Sequence, residues 1–143
     1  MRGEFIRGDG LVLPNNLTIH GCRTILGAAF LAASYQFEMG LCNGVFQPGL
    51  AVVDIEQPAA GGYAIQPVSW SFVNEVNGEA FVESQPVVFP AGQYDKAVTR
   101  PFLRQTTSPG LVVALGSALP AALQITPVTP VADRTFRYRL YLR

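Results

Sequence analysis

The chain has 143 residues, 49% of them apolar and only 14% charged, with ten basic and ten acidic residues and a formal net charge of zero. That length suits one domain, and that balance supplies a core and excludes an intrinsically disordered chain. Zero net charge gives no long-range pull toward nucleic acid, and no run approaches the length of a membrane span.

The charges are unevenly spread. Residues 1–23 sum to +1, residues 24–95 hold seven acids and no base, and residues 96–143 sum to +6. Either the fold interleaves these segments and pairs the charges internally, or acidic and basic patches meet between subunits. Nine of the ten basic residues are arginine, the cation favoured at interfaces for its planar fork.

Residues 1–14 read as an arm, rich in Gly and Arg, with Phe5, Ile6 and Leu11-Val12-Leu13 as its docking points; residues 15–143 read as a single β-rich domain. The opening MRGEFIRGDG lacks the apolar stretch of a signal peptide. In NLTIHGCRTILGAAFLAAS, Cys22, Ile25, Leu26, Ala29 and Phe30 recur on one helical face, predicting a helix over about residues 18–32 packed on a sheet. Asn16 or Thr18 can cap it, and small residues would let it sit close.

The period then changes from 3.6 to 2. YQFEMGLCN alternates Phe37, Met39 and Leu41, and YAIQPVSWSFVNE carries Val68, Trp70 and Phe72 on one side. Asn77-Gly78 follows, a strong hairpin signal. A two-residue loop there sets Phe72 opposite Glu83, whereas a three-residue loop, Val76-Asn77-Gly78, pairs Phe72 with Val82 and Trp70 with Ser84 and keeps one apolar face, so the longer loop is expected.

Further strands are expected at 97–107, 111–116, 121–128 and the C-terminus, with a turn at 108–110. Pro67, Pro86 and Pro101 place their strands at edges or bulges. The closing RTFRYRLYLR alternates Phe136, Tyr138, Leu140 and Leu142 with Thr135, Arg137, Arg139, Tyr141 and Arg143. The first set closes a core. The second is either a solvated face with cross-strand partners such as Glu79 or Glu83, or a contact with another subunit. The fold class expected is mainly β, an antiparallel sandwich or jelly-roll-like barrel with one short helix.

No arrangement of residues announces catalysis. His20 stands alone, and Cys22 two residues on points to another helix face. One histidine and two cysteines fall short of a zinc site, and Asp54 with Glu56, on one side of a strand, are too sparse for calcium. Cys22 and Cys42 read as buried free thiols. The reading is therefore of a protein that is not an enzyme, with no metal and no cofactor.

The run MGLCNGVFQPGLAVVDIEQPAAGGYAIQPVSWSF, residues 39–72, resembles small virion proteins of tailed bacteriophages, with Gly40–Asn43, Gly62–Gln66, Trp70 and the alternation Phe136 to Leu142 carrying the likeness over about residues 35–140. Position 65 is Ile where that family more usually has Arg, so no role of that Arg carries over. The resemblance implies a capsid decoration or cement protein located in the virion. Such a protein binds the major capsid protein or other virion proteins as a homodimer or homotrimer, with no nucleic acid or membrane partner. A neck, collar or tail-accessory protein is the first alternative, and a carbohydrate-binding β-sandwich using Trp70 or Tyr94 the second. The residues expected at subunit contacts are Arg2, Phe5, Arg7, Arg137, Arg139, Tyr141 and Arg143, and loss of residues 1–10 is expected to weaken attachment while sparing the fold.

Overall fold

The computed structural model describes residues 2–31, 34–90, 92–106, 111–125 and 134–142, without the side chains of Val53, Phe72 and Leu142. The described residues form ten strands and one α-helix. The strands are β1 (Arg2–Arg7), β2 (Val12–Leu17), β3 (Phe37–Cys42), β4 (Gln66–Val68), β5 (Trp70–Val76), β6 (Glu79–Ser84), β7 (Val87–Val88), β8 (Arg100–Gln105), β9 (Val112–Gly116) and β10 (Thr135–Leu142). The helix α1 spans Ile19–Phe30.

All ladders are antiparallel, in the order β4-β3-β8-β9-β2-β1-β10-β6-β5, with β7 also on β10. The strands at the two ends of this order, β4 and β5, are separated in the chain by Ser69 alone. The sheet therefore curls back on itself into a nearly closed barrel. Alternation fills it: Phe5, Leu13, Met39, Leu103, Val113 and Tyr138 all point into one buried cluster. The outer side of β3, β8 and β9 carries a second cluster, where Cys42, Phe102, Val112 and Leu115 lie beneath Leu50 and Ile55 of the long loop after β3.

The first fourteen residues are not an arm. β1 lies between β2 and β10 in the sheet, and Phe5 is wholly buried, edge-on to Tyr138 at 4.8 Å. Phe5 and Leu13 face the interior while Arg2 and Val12 are exposed, a half-buried strand pattern too short to stand out from the glycines around it. Removing residues 1–10 would split the sheet, so the expectation of an intact fold does not hold.

The hairpin also departs from expectation. Val76 pairs with Glu79 and Glu75 with Ala80, so the loop is the two residues Asn77 and Gly78, both at positive φ (52° and 76°). That is the turn whose twist matches the strands. The predicted pairing of Trp70 with Ser84 nevertheless forms, because a register shift between Trp70 and Val73 absorbs the extra residue. Pro67 sits in edge strand β4, and β8, which holds Pro101, carries a bulge at Leu103/Arg104. Residues 121–125 form a 3-10 turn and a single bridge, Ile125 to Val98, rather than a strand, while the predicted turn at 108–110 lies outside the described residues.

α1 starts where the sequence indicates, with Thr18 as its cap, but presents a different face. Gly21, Thr24 and Gly27 are buried, while Leu26 and Phe30 are exposed. The cause is close seating. Thr18 Oγ1 accepts from the Gly21 N–H (2.9 Å) and donates to the Val112 carbonyl, and the Thr18 N–H donates to the Val113 carbonyl (3.0 Å). A Cβ at Gly21 would lie 2.9 Å from the Val113 carbonyl carbon, so only the glycine side of the helix fits there.

Candidate interaction site

The outward face of β10 was the sequence's strongest candidate for a contact surface, and the structure turns most of it inward. Glu83 lies directly opposite Arg139, which donates to Glu83 Oε2 from Nε (2.7 Å) and Nη2 (2.5 Å). Arg139 Nη1 donates to the Tyr141 hydroxyl (3.0 Å), which itself donates to Glu4 Oε1 (2.8 Å). Arg2 lies 3.7 Å from the Tyr141 ring centroid and donates to Glu79 Oε2 (2.6 Å). Tyr141 is thereby buried from the outside of the sheet.

The expected contact residues divide accordingly. Phe5 is core. Arg7 is buried, donating from Nε and Nη2 to Asp9 at 3.1 and 2.7 Å. Arg139 and Tyr141 belong to the network with Glu4 and Glu83. Arg2 and Arg137 keep about half their side-chain surface (47% and 49%), Arg137 within 3.5 Å of Glu83. Arg143 lies outside the described residues. Across the barrel Arg104 donates to Glu38 (2.6 Å), so Arg104, Arg137 and Arg139 of the basic third pair with acids of the acidic third on neighbouring strands.

The groups that could carry chemistry are scattered. His20 stands on the first turn of α1, 3.4 Å from Thr24 Oγ1. Both cysteines are free; Cys22 is half-buried rather than buried, and burial pushes the Cys42 thiol up to about 11. Burial likewise raises the Tyr63 and Tyr138 phenols. Asp54 is in a 3-10 turn rather than a strand and accepts from the Ala51 N–H at 3.1 Å, while Glu56 accepts from Asn43 Nδ2 at 2.9 Å. Among the described residues no three His, Cys, Asp or Glu side chains gather to hold a metal ion, and no helix is long and apolar enough to cross a membrane. Tyr94 is wholly buried, and Trp70 is half-buried, at a steep angle to Phe37 and Tyr138.

One hollow that the structure leaves open is apolar. α1 is pinned at its N-terminal end, and beyond that end a cleft of about 380 Å³ separates it from the β5–β6 hairpin. Ile25, Ala28 and Ala29 form one wall; Trp70, Val73 and Phe81 are on the other; Leu103, Val113 and Leu140 are at the floor. Among the described residues its lining holds no charged side chain, and the Tyr138 hydroxyl is engaged by Asn15 Nδ2 at 2.8 Å. Further apolar side chains stand in solvent on these same elements: Phe30 and Leu31 are each 80% exposed and Val73 73%, with Ile19, Leu26 and Val76 about half exposed. The signal was present in the sequence. The apolar stripe read in the sequence is the side the sheet does not take: with Gly21, Thr24 and Gly27 seated on the sheet, Ile25 and Ala29 line the cleft and Leu26 and Phe30 stand in solvent.

No family model, curated protein or solved structure matches the chain.

Proposed function

We propose that the protein is a structural subunit of a bacteriophage particle, a capsid decoration protein that stabilises the shell by burying surface against neighbouring virion proteins. The observation that carries this reading is the exposed apolar face formed by α1 and the β5–β6 hairpin around the cleft. Single exposed apolar residues are ordinary on any surface; a concave group of them on two adjacent elements marks a place where another protein sits. The likeness of residues 39–72 and 136–142 to small virion proteins supports the same reading. The scatter of titratable groups gives no competing centre of chemistry among the described residues.

This moves the contact surface from where the sequence put it. On the outward face of β10, Arg139 and Tyr141 have partners within the chain, whereas apolar side chains of α1 and the hairpin stand exposed. Burial of exposed Phe, Leu and Val side chains supplies about 1.5–3 kcal/mol each, and repetition over a symmetric shell multiplies small contacts into a stable one.

The test is a count. Particles purified from a lysed host culture carrying the gene are analysed by quantitative mass spectrometry against the major shell protein. A decoration role predicts a copy number comparable to that of the shell subunits. A few copies per particle would instead assign the chain to the neck or tail, and complete absence would refute a virion role.

A further inference from the structure

The cleft and its counterpart lie on the same helix. Ile25, Ala28 and Ala29 face the cleft. Ile19, Leu26 and Phe30, at i, i+7 and i+11, form the adjoining stripe and continue into Leu31 beside it. We propose that a second copy of this chain covers this face, in a two-fold pair in which Phe30 and Leu31 of each copy enter the cleft of the other. The proposal rests on the assembly reading and names the chain's nearest partner.

Three features select this occupant. The first is the lining. An inserted peptide strand, sugar or nucleotide would leave its polar groups without partners among these side chains, whereas Phe and Leu side chains lose nothing there. The second is adjacency: a two-fold interface is self-complementary, so a patch must carry both the hollow and what fills it. A small apolar ligand would fill the hollow yet leave Leu26, Phe30 and Leu31 in water.

The third feature is charge. Arg23 is exposed on the same stripe as Leu26 and Phe30, and Glu75 is exposed on β5 of the facing hairpin. When each helix crosses the other copy's hairpin, these opposite charges meet twice, and a net charge of zero opposes no self-association.

Sedimentation velocity on the purified chain tests this. A reversible dimer is expected. Phe30→Asp, at a solvent-exposed position, should raise the dissociation constant at least about thirtyfold, the scale of an interface hot spot. Ala29→Trp fills the cleft from its own wall and should abolish pairing while circular dichroism and the melting curve remain native. Arg23→Glu and Glu75→Arg should each weaken the dimer, and the double variant should recover it. A chain monomeric at every attainable concentration overturns the proposal. So does a dimer indifferent to both Phe30→Asp and Ala29→Trp, or a double charge variant no tighter than the singles. Saturable one-to-one binding of an apolar dye to a monomeric wild type would assign the cleft to a small ligand and also overturn it. A monomer that still sediments with particles defeats the pairing alone; a dimer absent from particles defeats the virion role alone.

Discussion

Gly21→Ala sets helix propensity against packing, and the structure decides the sign. In an isolated helix the change gains about 1 kcal/mol. Here the added Cβ would lie 2.9 Å from the Val113 carbonyl carbon and 3.1 Å from its Cα, closer still to its oxygen, and these are backbone atoms of a central strand. The helix must lift by more than a few tenths of an ångström. Overpacking of that kind costs about 1–3 kcal/mol, and lifting also stretches the Thr18 cap, whose loss costs about 1 kcal/mol. The net effect is a destabilisation of about 2 kcal/mol, or a melting temperature lower by roughly 8 °C for a chain of this size. Gly27→Ala is the control. Its Cβ would meet the Tyr35 hydroxyl at 2.7 Å, the far end of a side chain that can swing away, so propensity should prevail and the variant should be neutral or slightly stabilised. Thermal melts of both, followed by circular dichroism, give the answer. If Gly21→Ala melts at or above the wild-type temperature, α1 is not held against β9 as described.

Other consequences follow from the same packing. Phe5→Ala should cost about 3–5 kcal/mol in urea denaturation, because it empties a wholly buried site in the barrel; a loss under about 1 kcal/mol would restore the N-terminal segment to the status of an arm. Hydrogen bonds from Arg7 and the Leu11 N–H hold the Asp9 carboxyl down at about 2. Its folded value is below the ordinary one, so its contribution is complete above about pH 4 and is lost as pH falls toward 2. Asp9→Asn should therefore narrow its stability deficit against wild type across that window, and a deficit constant with pH would contradict the pairing. Alkylation by iodoacetamide at about pH 8 should label half-buried Cys22 and spare Cys42 until the chain unfolds; labelling of both at equal rates in the native state would show that the loop after β3 does not cover Cys42.

Much of the barrel was legible because period-2 patterning is a direct print of burial. Phe136, Tyr138 and Leu140 proved to be core, as did Met39 and Leu41, and Thr18 caps the helix. The misreadings share a cause: each needed a partner distant in sequence. β1 reads as an arm until β10 and β2 are placed on either side of it. The hairpin register could not be solved from the turn alone, since the compensating bulge lies several residues away between Trp70 and Val73. The helix seemed to offer its larger apolar side to the sheet, but the Val113 carbonyl admits only glycine. The outward face of β10 depends on distant partners in the same way. The sequence left its Arg face open between cross-strand partners and another subunit; pairing with β6 and β1 brings Glu83, Glu79 and Glu4 beside it, two of which the sequence had named.

The claim that this chain acts by being covered is tested most directly by electron cryo-microscopy of the purified particle. The account predicts density for the chain bound at the shell, with α1 and the β5–β6 hairpin buried against a neighbouring protein chain and the cleft filled by its apolar side chains. A bound chain whose α1 and hairpin face solvent, with the β10 face against its neighbour instead, would contradict it.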